Sequence, residues 1–260
     1  MNRIGIIGLG NMGSAILKAL KDEKKWILSA YDENKDQMAS WKDEAKESIG
    51  DLAKDSDVVI IAVKPDVITP SFLESIKSGP KGFVSIAAGV EISYLEKYLS
   101  SKNISRFMPN IAARMKKAAT AISFSKEAED EFKSTATGIA RSFGDVFPIK
   151  EEKMNAFTAI SGSFIAYALL FLDASAYGGV KVGMSYKDAL SIVKSTTESA
   201  LSLLSEGGTP GAIIPQVCSA GGTTVEGITK LYETGFQDSI VKAIDSTYQK
   251  ARKMEEEKRK

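Results

Sequence analysis

Three glycines near the start of the chain have the spacing of a phosphate-binding turn. Gly8, Gly10 and Gly13 lie between an apolar run at residues 4–7 and a segment with helical spacing at residues 14–20. In such a turn the glycines allow a tight bend, close approach of a pyrophosphate, and close packing of helix on strand. The N–H groups at the helix start favour negative charge. The pattern predicts a dinucleotide site, although a glycine-rich turn without a ligand is the alternative. The candidate cofactor-binding residues are Gly8, Leu9, Gly10, Asn11, Met12 and Gly13.

A carboxylate stands where a dinucleotide site needs one. Asp32 follows a second strand-like run, at about the 20-residue distance expected for the acid that binds the adenosine ribose. Such a carboxylate accepts hydrogen bonds from the ribose 2′-OH and repels a 2′-phosphate. Glu33 adds a second negative charge, and Lys35 is the nearby cation. The charge pattern therefore favours NADH over NADPH, the alternative being that Asp32 only caps the following helix.

Further cofactor contacts are expected where other strand-like runs end. Ligands of an open α/β sheet bind at the carboxyl ends of its strands. We expect two such ends to line the path from pyrophosphate to nicotinamide, and Asn110 to bond a cofactor ribose or the carboxamide. A turn-forming role after Pro109 suits Asn110 equally well. The candidate residues are Val63, Lys64, Pro65, Ala88, Gly89 and Asn110.

A second glycine-containing segment, residues 217–228, precedes another helix-compatible run. N–H groups at such a helix start form an anion site. Because the segment is far in sequence from the first turn, a substrate carboxylate is the natural ligand, with Thr224 as an additional hydroxyl donor. Cys218 is better explained as a small buried side chain than as a nucleophile. A plain loop-to-helix junction is the alternative. The candidate substrate-binding residues are Ser219, Gly221, Gly222, Thr223 and Thr224.

The elements that position these residues change character near residue 150. Before it, strand-like runs alternate with helical segments, which predicts an α/β fold with a doubly wound, mostly parallel sheet. The predicted strands are 4–7, 26–31, 57–63, 82–87, 103–108, 119–125 and 144–149. After it no strand-like run remains, which predicts an all-α domain. We therefore divide the chain into a dinucleotide-binding domain, 1–150, and a helical domain for dimerisation and substrate binding, 151–260.

The helical half is rich in apolar helix surface. Residues 154–175 are predicted to form one long helix, buried within the domain or across a dimer. Ser185 and Asp188 predict a capped helix start, and further helices are predicted from about Thr223 and from Phe236. We expect the charged tail, 253–260, to be a solvated helix end. With so little sheet to cover these helices, a dimer or larger homo-oligomer is expected.

Composition restricts the class of protein. The chain has 260 residues, a net charge of +1, one cysteine and no histidine. Neither nucleic acid nor an acidic membrane surface is expected as a partner, no internal disulfide can form, and no metal site is expected. The first residues already read as a strand, so no cleavable signal is expected. The uninterrupted apolar run 165–172 is too short to span a bilayer. A soluble, cytoplasmic protein is predicted.

Short motifs in a fixed order carry a resemblance to a known family. They are Ile4–Gly13, Ala62–Pro65, Ser85–Val90, Arg106–Asn110, Ala159–Ser163, Gly178–Met184 and Val217–Gly227. In this order and spacing the chain resembles pyrroline-5-carboxylate reductase over nearly its whole length. The resemblance implies a Rossmann domain followed by a helical dimerisation domain whose helices interleave between subunits. It implies reduction of 1-pyrroline-5-carboxylate to L-proline, the last step of proline biosynthesis.

The resemblance also implies roles for residues of the second segment. It places the substrate carboxylate on Gly221–Thr224 and gives Thr224 a polar contact to the substrate ring. Three departures loosen the fit without removing a chemical group: Ala220 and Ala112 stand where the family commonly has proline, and Ile165 replaces another. Asp32 and Glu33 occupy positions where many members bind a 2′-phosphate with Asn or Arg, which agrees with the preference for NADH.

The implied chemistry suits a chain without histidine. A protonated cyclic imine accepts a hydride directly, so the protein mainly positions two bound molecules. Two other functions remain open. One is a related reductase acting on another imine or on a β-hydroxyacid, for which Lys181 or Lys194 would be the catalytic lysine. The other is a non-catalytic dinucleotide sensor on the same scaffold, with Ala220 as the feature that favours it.

Overall fold

The computed structural model describes residues 1–259, with side chains as far as residue 256. The chain forms two compact units. The first comprises Met1–Gly162 together with the chain from Tyr248 onward, and the second comprises Ser163–Thr247.

The first unit is built on a seven-stranded sheet in the order β2-β1-β3-β4-β5-β6-β7. The strands are β1 Arg3–Ile7, β2 Ile27–Tyr31, β3 Val58–Ile61, β4 Gly82–Ser85, β5 Ile104–Pro109, β6 Ala118–Phe124 and β7 Gly144–Pro148. Neighbouring strands are parallel except β5 and β6, which are antiparallel. The predicted doubly wound, mostly parallel sheet is confirmed.

At the outer edge of β2, the chain forms one isolated β-bridge. Ala30 forms a single parallel bridge with Ala45, because the Ala30 N–H donates to Glu44 and the Lys46 N–H donates to Ala30. The chain then passes back to β3 on the other side of β1. The strand order therefore reverses between β1 and β3, and in open α/β sheets ligands bind at such a point.

Helices cover both faces of the sheet. They are α1 Asn11–Glu23, α2 Lys35–Ala39, α3 Ile49–Lys54, α4 Pro70–Ile76, α5 Ile92–Leu99 and α6 Asp130–Arg141. Leu17 of α1 and Phe132 of α6 belong to one apolar cluster. Leu52, Leu73 and Leu95, from α3, α4 and α5, belong to the other. All five side chains are fully buried, and each burial contributes about 1.5–3 kcal/mol.

The remaining helices differ from the sequence prediction in two respects: residues 154–175 do not form a single helix, and residues 210–217 form a helix that was not predicted. They are α7 Met154–Phe157, α8 Phe164–Lys181, α9 Tyr186–Ser205, α10 Pro210–Val217, α11 Thr223–Glu233 and α12 Phe236–Arg259. A π-helical turn at Thr158–Gly162 separates α7 from α8. The start of α9 is as predicted, since the Asp188 N–H donates to Ser185 Oγ at 3.1 Å.

The apolar character of the segment leading into α8 is largely exposed in the single chain. The helical run Glu151–Lys181 contains an 18-residue stretch with a mean hydropathy of 1.6, and only 6% of that stretch is buried. By length and composition alone it could cross a membrane. The expectation that no segment spans a bilayer was based on the shorter apolar run 165–172. The length of the whole helical segment does not support that expectation.

A buried guanidinium lies beside the start of α5. Arg106 of β5 is fully buried, and its Nη1 lies 3.1 Å from Glu151 Oε1 and 3.5 Å from Glu255 Oε1. Glu151 Oε1 also accepts the Ile92 N–H at 2.8 Å, and Asn155 donates to Glu255 at 2.6 Å. The prediction of a solvated tail is therefore wrong for Glu255, because its carboxylate compensates a buried charge.

Candidate functional site

The glycine turn after β1 has the geometry that its spacing predicts. Gly8 has φ +97°, and a Cβ there would lie 2.7 Å from the Ala62 carbonyl. A Cβ on Gly13 would overlap the Gly8 carbonyl oxygen, whereas a Cβ on Gly10 would meet nothing within 4 Å. Two glycines are therefore needed for packing, and the third keeps the space above the turn open for a ligand.

The start of α1 offers unused hydrogen-bond donors to that space. Gly10 caps the helix without a side chain, and no acidic residue lies in the first turn. The first N–H groups of a helix have no partner within it, so the positive end of the dipole faces the open side of the turn. The Ser14 side chain also stabilises the turn, since its Oγ donates to the Leu9 carbonyl at 2.6 Å. These features fit a pyrophosphate.

A cavity of about 340 Å³ continues from this turn along the carboxyl ends of β1, β3, β4 and β5. Its lining residues are Gly10, Asn11, Met12, Ala62, Val63, Lys64, Pro65, Ile86, Ala87, Ala88 and Pro109. The structure thus brings together most of the residues predicted to hold the cofactor. Gly89, with φ +75°, instead lines a neighbouring cavity that shares Pro65.

Asp32 lies at the end of β2 and holds the glycine turn. Its Oδ2 accepts the Leu9 N–H at 2.6 Å, and its Oδ1 accepts the Asn34 N–H at 2.8 Å. Asn34, not Asp32, caps α2 by accepting the Asp36 N–H. The alternative in which Asp32 only caps this helix therefore does not hold. Each carboxylate oxygen can accept a further hydrogen bond.

Asn110 follows β5, next to Pro109 in the cavity wall. Its Oδ1 accepts the Ala112 N–H at 3.2 Å and caps the 3₁₀ helix Ile111–Met115. Its Nδ2 lies 3.4 Å from both the carbonyl oxygen and Oγ of Ser161. The turn-forming role is therefore present. Ser161 was recognised in the sequence only as part of a motif, because its contact with Asn110 spans 51 residues.

The second glycine segment, in the second unit, forms a tight turn before α11. The Gly222 N–H donates to the Ser219 carbonyl at 3.0 Å. Gly221 has φ +67°, and a Cβ on Gly222 would overlap Ser219 Oγ. Gly222 caps α11 without a side-chain bond, so the N–H groups of Thr223 and Thr224 begin the helix as an anion site requires. Thr224 is half-buried and Thr223 is exposed.

The donor set in the described part of the chain does not suit a metal ion. No group of three or more His, Cys, Asp or Glu side chains within residues 1–259 could hold one. Cys218, at the start of the second segment, is partly buried. What the two segments present instead are backbone donors at helix starts, which suit phosphate and carboxylate groups.

Two family models match different parts of the chain. A family model described as pyrroline-5-carboxylate reductase dimerisation matches residues 151–254. A model described as NADP oxidoreductase coenzyme F420-dependent matches residues 3–89.

Full-length relatives and solved structures identify the family. The pyrroline-5-carboxylate reductase of Aquifex aeolicus is 36% identical over 97% of both chains, and that of Escherichia coli is 33% identical over 97% of this chain and 98% of its own. The structure of the Streptococcus pyogenes enzyme is 31% identical, with a TM-score of 0.83 over 96% of this chain and 98% of its own. That of the Plasmodium falciparum enzyme, with NADP bound, is 26% identical, with a TM-score of 0.84 over 98% of both. The chain belongs to the pyrroline-5-carboxylate reductase family.

Proposed function

We propose that this chain reduces 1-pyrroline-5-carboxylate to L-proline with a nicotinamide cofactor, in the last step of proline biosynthesis. The observation that carries the proposal is the similarity to pyrroline-5-carboxylate reductases along 97% of the chain. The open glycine turn before α1 and the uncapped start of α11 support it, because the reaction needs one site for a pyrophosphate and one for a small carboxylate.

The first unit would hold the cofactor. The N–H groups of residues 8–13 would bind the pyrophosphate, and Asp32 would accept a hydrogen bond from the adenosine ribose. Residues 63–65 and 88–89 would line the nicotinamide half, with Asn110 at its edge. When bound, the cofactor supplies a hydride to the imine carbon of the substrate.

The second glycine segment would hold the substrate. The N–H groups of Gly222, Thr223 and Thr224 would bind its carboxylate, and Ser219 would add a polar contact. The Thr224 hydroxyl would hydrogen-bond the ring nitrogen, which carries a proton taken from water while the adjacent carbon accepts the hydride. Positioning of this kind replaces a strong acid or base, which agrees with a chain that has no histidine.

NADH is the cofactor that the charges favour. Asp32 and the exposed Glu33 would put two carboxylates beside the ribose 2′ substituent, where a 2′-phosphate would be repelled. We propose NADH over NADPH on this ground.

Three further features belong to the proposal. Residues 1–150 and 151–260 are the functional domains, the boundary being supported by the start of the dimerisation match at residue 151. The chain is a homo-oligomer, a dimer or an assembly of dimers, with no nucleic-acid or membrane partner. A cytoplasmic location is supported by the single cysteine.

A steady-state assay tests the function. The purified protein should oxidise NADH, and NADPH more slowly, when 1-pyrroline-5-carboxylate is added, and L-proline should accumulate in equal amount. Oxidation of 3-hydroxy acids in place of this reaction would favour a β-hydroxyacid enzyme using Lys181 or Lys194. Nucleotide binding without turnover of any of these substrates would favour the sensor.

A further inference from the structure

We propose that Ser161 is a positioning residue that orients the Asn110 amide toward the nicotinamide half of the cofactor. The inference rests on the proposed nicotinamide-dependent reaction, but it concerns how this chain's own residues form one wall of the site. Its three supports are the π-helical turn, the hydrogen bonds between the two residues, and the position of Asn110 beside the cavity.

The backbone around Ser161 departs from regular helix. Thr158–Gly162 forms a π-helical turn between α7 and α8. Such turns are rare, interrupt the regular hydrogen-bond pattern and occur frequently at functional sites. Here the turn brings a half-buried serine to the ends of β5 and β6.

The hydrogen bonds of Asn110 fix the direction of its amide. Because Oδ1 accepts the Ala112 N–H at 3.2 Å, the NH₂ group must face the other way. There it meets Ser161, whose carbonyl oxygen and Oγ both lie 3.4 Å from Nδ2. Ser161 Oγ in turn lies 3.3 Å from the Ala119 carbonyl, to which it donates. Its hydroxyl proton is thereby used, and its lone pairs remain for Asn110.

A hydrogen bond shared between the two acceptors of Ser161 would leave one donor of Asn110 for a ligand. The NH₂ group has two N–H bonds, and both acceptors belong to Ser161, so one bifurcated hydrogen bond can serve them. Asn110 is 9% exposed and adjoins Pro109, which lines the cavity. The second N–H then serves the carboxamide oxygen of a nicotinamide bound at that end of the site.

The test compares two ligands that differ in the nicotinamide. Calorimetric titration would measure the affinity of the full-length protein for NADH and for ADP-ribose, which lacks the nicotinamide. Ser161→Ala is expected to weaken NADH by about three- to tenfold, the range of one hydrogen bond, and to leave ADP-ribose within about twofold. Asn110→Ala should behave alike, and the double variant should be no weaker than Asn110→Ala alone.

Two further variants keep the result interpretable. Thr158→Val is the matched control, because it removes a hydroxyl that donates to the Met154 carbonyl in the same π-helical turn. It should change neither affinity. Ser161→Cys keeps the side-chain volume with a weaker donor and acceptor, and serves if Ser161→Ala does not fold.

The outcomes separate this inference from the proposed function. Equal weakening of NADH and ADP-ribose by Ser161→Ala would overturn it in favour of a structural role, and so would additive effects in the double variant. Unchanged NADH affinity would also overturn it. Absence of pyrroline-5-carboxylate turnover in the unmodified protein would contradict the proposed function instead, because the binding measurements need no substrate.

Discussion

Asp32 has two separable roles, and substitutions should distinguish them. Its carboxylate holds the glycine turn through the Leu9 N–H, and it supplies the charge that would exclude a 2′-phosphate. Asp32→Asn keeps a carbonyl acceptor but removes the charge, so the ratio of NADPH to NADH affinity should rise about tenfold. Asp32→Ala also releases the turn, so both affinities should fall, that for NADH further. Fluorescence titration with each cofactor measures both effects.

Glu33→Gln is the control for Asp32. Glu33 is exposed, and its substitution removes one negative charge without touching the glycine turn. An equal change of the ratio in Glu33→Gln would mean that the summed negative charge beside the 2′ substituent, not the contact of Asp32 with the ribose, decides the preference. Tighter binding of NADPH than NADH by the unmodified protein would show that the cofactor prediction is wrong.

Thr224 offers the corresponding test on the substrate side. Thr224→Val keeps the shape of the side chain and removes its hydroxyl, so kcat/KM for pyrroline-5-carboxylate should fall about 10- to 100-fold. The affinity for NADH should stay within about twofold. Steady-state kinetics and a cofactor titration measure the two quantities, with Thr229→Val, at an exposed position of the same helix, as the control. An equal loss of kcat/KM and of NADH affinity in Thr224→Val would indicate a structural role for Thr224.

Among the elements, β1 and β3 are linked at their starts by a buried carboxylate, in addition to the hydrogen bonds that pair the two strands. Asp57, 7% exposed, accepts the N–H groups of Asn2 and Arg3 at 3.1 Å. It also accepts Arg3 Nη2 at 3.0 Å. The Arg3 side chain, opposed by burial and assisted by the two N–H groups, holds the pKa of Asp57 well below its usual range. Stability from this group is therefore full above the unfolded pKa of about 4 and decreases as the pH falls below it.

Asp57→Asn should consequently lower the free energy of unfolding by about 2 kcal/mol at pH 7. The difference in this free energy between the variant and the unmodified protein should shrink between about pH 4 and pH 3. Urea unfolding at several pH values measures it. Asp43→Asn, at an exposed carboxylate, should change stability little at any pH. A difference for Asp57→Asn that stays constant down to pH 3 would contradict the electrostatic explanation.

The elements also show why the sequence predicts some features and not others. The parallel strands are buried on both faces and read as apolar runs, as Val58–Ile61 does. The glycine turn is equally local, so its geometry follows from spacing. The direction of a strand leaves no local pattern in the sequence. The antiparallel β6 could therefore not be distinguished from the parallel strands. Helix α10 was missed because Pro215 lies inside it, and proline argues against a helix interior. The pairing of Arg106 with Glu255 spans 149 residues and leaves no local pattern.

At the scale of the whole molecule, the helices of the second unit expose large apolar side chains. Examples are Leu169 at 60%, Leu170 at 68% and Tyr177 at 61% exposure on α8. Contiguous apolar surface of this kind marks an interaction site. A second copy of the chain explains it, given the dimerisation match over residues 151–254. A bilayer explains it less well, because Asp173, which accepts a hydrogen bond from Tyr186, would carry its charge into the apolar phase.

Leu170→Glu should therefore dissociate the assembly, since a charge would be buried without a partner at the interface. Sedimentation velocity in detergent-free buffer should show a homo-oligomer for the unmodified chain and an affinity at least about a hundredfold weaker for the variant. Ser134→Glu adds the same charge at an exposed position of α6, outside the dimerisation match, and should leave assembly unchanged. Detergent-dependent solubility of the unmodified chain would favour a membrane. An oligomer of Leu170→Glu as stable as that of the unmodified chain would mean that the subunits associate through another face. An unpaired glutamate buried in the interface would weaken association.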